Sequence, residues 1–173
     1  AFSGCTALTE ISMGDSVLSI GDFAFDGCTS LGSVWHMSTS LTSVGQYAFR
    51  DTLFFTAEGT DDTVYVGGWL LGCKSGKMRG QTIADGTVGI ADFALYKCGE
   101  FDDILTLPAS LRYIGKSAFS NCGKLTGVII GSGVLEIGDE AFIGCTALSG
   151  LFLGDYTGTT LGDSSLTKIG DYA

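Results

Sequence analysis

Apolar and polar positions recur along this chain with a period of 23 or 24 residues. The pair Ala-Phe opens a cycle at Ala1, Ala24, Ala48, Ala118 and Ala141, and Ala-Leu opens one at Ala94. A first apolar set follows each opening: Leu8, Ile11 and Met13, then Leu125, Val128 and Ile130, then Leu148, Leu151 and Leu153. The last two members of each set are two residues apart, the spacing of a strand with one buried face. A second set, Val17 and Ile20, returns to the core from an opposite wall, and Val44, Ile114, Ile137 and Ile169 hold the Ile20 position. Gly follows each of these five residues. It is read as the seat of a tight turn in which a Cβ would clash. The Phe of each opening pair then supplies one large ring per cycle: Phe2, Phe25, Phe49, Phe119 and Phe142, with Leu95 taking the place once.

No single cycle can bury its own apolar face, but a stack of cycles can. The pattern therefore predicts a mainly β fold, a solenoid of about seven rungs of ~23 residues. First strands would pair into a parallel concave sheet, with short strands or 3-10 turns on the convex side. Crossovers between parallel strands are right-handed in nearly all proteins, so the coil is expected to be right-handed. No stretch shows sustained helical periodicity, and no long helix is expected. Ala48 to Ala94 is 46 residues, two units of 23, so the irregular middle is assigned two rungs. Within it, Gly67-Gly68 between VYV and WLLG reads as a hairpin turn.

A period in this range is that of leucine-rich repeats. The phrases IGDFAFDGCTSL, IGKSAFSNCGKL and IGDEAFIGCTAL resemble the BspA-like, treponemal-type class of those repeats. VYVGGWLLGCKSG followed by TIADGTVGIADFA resembles a variant rung of the same class. The resemblance covers essentially the whole chain. It implies a secreted or cell-surface bacterial or protist protein that contacts other proteins, often as an adhesin. Departures from the pattern are local. Pro108 alone keeps the proline after the first strand, Thr52 replaces the repeat Cys, residues 59–81 form no regular rung, and residues 155–165 insert a loop.

Length agrees with one solenoid domain over residues 1–173, containing an irregular double rung at 48–93. Neither end shows the polar cap that solenoids carry, so the chain reads as part of a longer repeat protein, and its end rungs are expected to associate end to end. Composition removes several function classes. Nineteen acidic against nine basic residues give a net charge of −10, which opposes nucleic acid and favours basic partners. No apolar run reaches the ~18 residues of a membrane span.

Five of the six cysteines, Cys5, Cys28, Cys98, Cys122 and Cys145, share one repeat position and should form a column of buried thiols that donate to the neighbouring rung. Cys73 lies off the column and is expected to be the exposed one. Zinc is disfavoured by the lack of CxxC spacing and of histidine partners. His36 is the only histidine and reads as a strand or turn residue. Asp61-Asp62 and Asp102-Asp103 read as a solvated turn and a strand-opening cap. No catalytic motif and no cofactor loop is present, so the chain is read as a non-enzyme without cofactor.

A protein-contact face is the better candidate. In the regular rungs the position between the two buried strand residues is Ser12, Ile129 and Phe152. The 24-residue rungs leave the register open: Trp35 and Leu105 point outward, or Val34 and Ile104 do. With Trp35, Leu105, Ile129 and Phe152 outward, the concave sheet bears an apolar stripe, which is either a contact site or packs under the inserted hairpin. A second patch lies in the insert, at Phe54, Phe55, Tyr65, Trp69 and Leu70, and serves either as that rung's own core or as an interface. The loop from Asp155 to Ser165 is a third candidate by its Gly, Ser and Thr content.

Overall fold

A computed structural model describes residues 1–57, 62–76, 78, 82–99, 101, 104–154 and 165–173. The chain runs β1 (Glu10–Ser12), β2 (Ser19–Ile20), β3 (Ser33–His36), β4 (Ser43–Val44), α1 (Leu53–Thr56), β5 (Thr63–Val66), β6 (Trp69–Cys73), β7 (Gly89–Ile90), β8 (Ile104–Thr106), β9 (Tyr113–Ile114), β10 (Gly127–Ile130), β11 (Glu136–Ile137), β12 (Gly150–Leu153) and β13 (Lys168–Ile169). These elements form a solenoid of about six turns. First-wall strands pair in parallel as β1-β3 and as β8-β10-β12. Second-wall strands pair in parallel as β2-β4 and as β6-β7-β9-β11-β13. The hairpin expected at Gly67-Gly68 is present, with β5 antiparallel to β6. Short hydrogen-bonded turns join the walls, and α1 is the one helix among the described residues.

The core lies between the walls. Phe2 stacks on Phe25 at 5.4 Å, Phe25 on Phe49 at 5.2 Å, and Phe119 on Phe142 at 5.0 Å. Offset ring stacking of this kind adds to the area each ring buries. Three members of the thiol column donate to the neighbouring rung as the repeat predicts, while Cys5 is exposed rather than buried. Cys28 Sγ donates to Phe2 O, Cys122 Sγ to Leu95 O and Cys145 Sγ to Phe119 O, each at 3.1 Å. Each bond serves a carbonyl of the preceding turn. The neighbouring Cys145 thiol and burial together push the Cys122 thiol up. Thr52 instead turns its hydroxyl to Phe49 O of its own turn, at 2.8 Å. The most exposed cysteine is Cys5, on the first turn; Cys73 is half-buried, which corrects the expectation made for it.

The repeated Gly after the second strand has a different reason from the one its sequence position suggests. Its φ is not positive at Gly45, Gly115, Gly138 or Gly170. A Cβ on Gly45 would lie 2.6 Å from Asp22 N, and one on Gly138 would lie 2.6 Å from Lys116 N. The residue is small because the preceding rung passes directly beneath it. That approach lets Gly45 N–H reach Ile20 O at 2.8 Å and Gly138 N–H reach Ile114 O at 2.7 Å. Ala91 is the exception in this column. The rung beneath it lacks the usual turn, because β6 runs on as a straight strand.

Candidate functional site

Register on the first wall decides which side chains face outward. Val128 pairs with Leu105 and Leu151; Val128 and Leu105 are buried in the core, whereas Leu151, on β12, is 47% exposed. Leu105 is 6% exposed, which excludes it from the outward stripe. Its neighbour Ile104 is 53% exposed and points out, so the second of the two registers open in the sequence holds in this rung. In the rung of β3 the other register holds: Trp35 is 73% exposed and Val34 is half-buried. A bulge between Ile11 and Ser12 sets that difference, since it shifts Ser12 to pair with His36.

The outward positions of β8, β10 and β12 form two rows. Ile104, Gly127 and Gly150 make one, and Thr106, Ile129 and Phe152 make the other. The two glycines are where larger side chains lie down. A Cβ on Gly127 would meet Ile104 Cγ1 at 3.0 Å, and one on Gly150 would meet Phe152 Cε2 at 2.8 Å. Ile104 and Phe152 thus fold over bare backbone and form, with the half-buried Ile129, a low apolar platform. These glycines escaped the sequence reading. Their signal was glycine inside a strand, which marks close approach to backbone.

Trp35 belongs to a different surface. It stands on the β1-β3 sheet, and its Nε1 donates to Glu10 Oε2 at 3.0 Å. Beside it, His36 Nε2 lies 2.8 Å from Asp15 Oδ1, and Thr39 Oγ1 donates to the same oxygen at 3.3 Å. The His36 hydrogen bond, followed by the Thr39 backbone N–H, holds the Asp15 carboxyl below the usual carboxylate range. A depressed folded pKa favours the fold above the unfolded value and loses that effect as pH falls through the folded value. His36→Ala is expected to move the Asp15 titration up toward its ordinary position, as read from the side-chain carboxyl carbon by NMR. Trp35 and the Ile104–Ile129–Phe152 platform are not brought into one sheet, so a single uninterrupted stripe does not form.

The insert packs inward. Trp69 is 2% exposed, lies parallel to the Tyr113 ring at 6.1 Å and covers Gly89, where a Cβ would run into the indole. It is core and not a contact residue, because β6 sits inside the second wall between β5 and β7. Tyr65 is half-buried, and its hydroxyl accepts the Ala84 N–H at 3.1 Å. Asp61, Asp102-Asp103 and residues 155–164 lie outside the described residues. Among the described residues, no three His, Cys, Asp or Glu side chains gather as a metal site, and no helix is long and apolar enough to cross a membrane.

Six copies of the BspA type Leucine rich repeat region match this chain, over residues 1–75 and 73–173. A comparison with curated proteins found no match. Among solved structures, a leucine rich repeat protein of T. pallidum is similar at 25% identity over 98% of this chain and 64% of that one, with a TM-score of 0.43. A leucine rich cell surface protein of Faecalibacterium prausnitzii aligns at 17% identity over 96% of this chain and 65% of that one, with a TM-score of 0.31. A leucine-rich repeat protein of Bacteroides ovatus aligns at 20% identity over 97% and 46%, with a TM-score of 0.32. The chain thus spans less than two thirds of each of these proteins.

Proposed function

The chain belongs to the BspA-type leucine-rich repeat family, and on that premise we propose that it is a protein-interaction module of a secreted or cell-surface protein, acting in adhesion. The observation that carries this reading is the apolar platform of Ile104, Ile129 and Phe152 on one sheet. Contiguous outward apolar groups on a soluble fold mark contact sites far more often than scattered ones do. The two glycines beneath keep the platform flat, which suits a broad protein surface. The net charge of −10 adds long-range attraction for a basic partner.

A structural spacer that holds other domains apart is the second reading. It is favoured by the β1-β3 sheet, whose outward Glu10, Ser12 and Ser33 are polar and whose Trp35 is tied to Glu10. Capture of purified extracellular-matrix and cell-surface proteins by the whole chain separates the two. Ile129→Asp with Phe152→Asp is expected to abolish capture and leave the circular dichroism spectrum unchanged. Capture that survives the double substitution would refute the platform. No capture by the unsubstituted chain would favour the spacer.

A further inference from the structure

The turns that open at Ala24, Ala94 and Ala118 are each stitched to the next by three backbone hydrogen bonds. Phe23, Phe25 and Gly27 donate to Gln46, Ala48 and Arg50; Phe93, Leu95 and Lys97 donate to Lys116, Ala118 and Ser120; Ser117, Phe119 and Asn121 donate to Asp139, Ala141 and Ile143. The equivalent donors of the third turn are Tyr47, Phe49 and Asp51, and the equivalent acceptors of the following turn are Asp92, Ala94 and Tyr96. Among the described residues, no hydrogen bond joins these donors to these acceptors. Just before the two turns, Asp92 N–H donates to Val44 O of β4 at 2.9 Å. Beyond it they part around a cleft of about 250 Å³, floored by Leu71, Gly72, Cys73 and Phe55.

The lips of this cleft are fixed. Arg50 is held on one lip by Asp26, through bonds of 2.7 and 2.9 Å, and its guanidinium stacks 4.9 Å from the Tyr47 ring. Tyr96 and Phe93 stand edge to face at 5.7 Å on the other lip. Since Asp26 already occupies the guanidinium, the cleft does not offer a free cation to an anion. It offers three N–H groups on one side and three C=O groups on the other. Only a chain that alternates both kinds of group answers both lips, and that chain is polypeptide backbone.

We propose that this cleft binds a polypeptide turn of the repeat's own type, supplied by a partner, whose carbonyls accept from Tyr47, Phe49 and Asp51 and whose N–H groups donate to Asp92, Ala94 and Tyr96. The place a column Phe would take is already filled, because Phe54 packs on Phe49 at 5.6 Å. The bound turn therefore carries a small residue there. Ala91 fits the same picture. Gly45, Gly115, Gly138 and Gly170 each stand above a crossing turn, and Ala91 holds that place above β6, where no Ala-Phe turn passes. The site lies on the turn edge and stands whether or not the first-wall platform binds.

The probe is a blocked hexapeptide with the sequence of residues 139–144 and Phe142→Ala, titrated into the whole chain. It is expected to protect Cys73 on the cleft floor from alkylation, while Cys5 keeps reacting, and to slow amide exchange at Tyr47, Phe49 and Asp51. N-methylation of the peptide's three donor amides, or Cys73→Trp in the protein, is expected to weaken binding at least about tenfold, the amide-exchange readout serving for the Cys73→Trp variant. Unchanged Cys73 alkylation at ~1 mM peptide, or equal protection by the N-methylated peptide, would overturn the proposal.

Discussion

Phe119→Ala is expected to lower the unfolding free energy by about 3–5 kcal/mol, the usual cost of deleting a fully buried ring. Phe119 has no exposed surface, stacks on Phe142 at 5.0 Å and meets Phe101 at 6.4 Å. Its carbonyl also accepts the Cys145 thiol, so a shift of the backbone here disturbs the thiol column as well. The neighbouring rings are fixed by their own turns and cannot collapse into the space. Phe2→Ala is the control. That ring has the same repeat position and stacks on Phe25, but half of it is exposed. Urea unfolding of the two variants should show a large drop in midpoint for the first and a small one for the second. Equal losses would mean that ring stacking between turns does not organise the core.

The second expected result concerns a single methyl group. Gly115→Ala places a Cβ 2.5 Å from Asp92 Oδ1, 2.7 Å from Asp92 N and 2.8 Å from Ala91 C. Two of those atoms are backbone, so no rotamer change relieves the contact. Relief requires the rungs to separate, which strains the bond from Gly115 N–H to Ile90 O at 2.9 Å and the bond from Lys116 N–H to the Asp92 carboxylate at 2.7 Å. Overpacking costs roughly 1–3 kcal/mol and each net hydrogen bond roughly 1, so a loss of about 3 kcal/mol is expected. Gly21→Ala, at the same repeat position, meets nothing within 4 Å. It should change stability by less than about 0.5 kcal/mol. Thermal melts of both variants check the contrast, and a harmless Gly115→Ala would remove close rung approach as the reason for this column.

Much of the architecture was legible because the repeat fixes each side chain against its counterpart one turn away. The Phe stack, the thiol-to-carbonyl bonds and the parallel pairing all follow from residues that recur at one position. The Gly column was legible as a necessity but not in its cause, since a sequence shows that a Cβ is forbidden without showing whether φ or a neighbour forbids it. At Trp35 and Leu105 the reading stopped for a different reason. One extra residue per rung leaves strand register undefined, and a bulge settled it one way at β3 while Ile104 replaced Leu105 at β8. Trp69 lies in an irregular segment without a repeat to calibrate it, and an aromatic there looks the same whether it packs on Tyr113 or faces a partner.

The interrupted stitching between the third turn and the next also bears on how the molecule carries load. Two hydrogen-bonded blocks result, one from β1 to β4 and one from β5 to β13, and among the described residues few main-chain bonds cross between them. Tension along the axis would be borne evenly inside either block and would concentrate where they meet. A coil built this way is expected to yield near its middle first under such a load, before either block loses its shape.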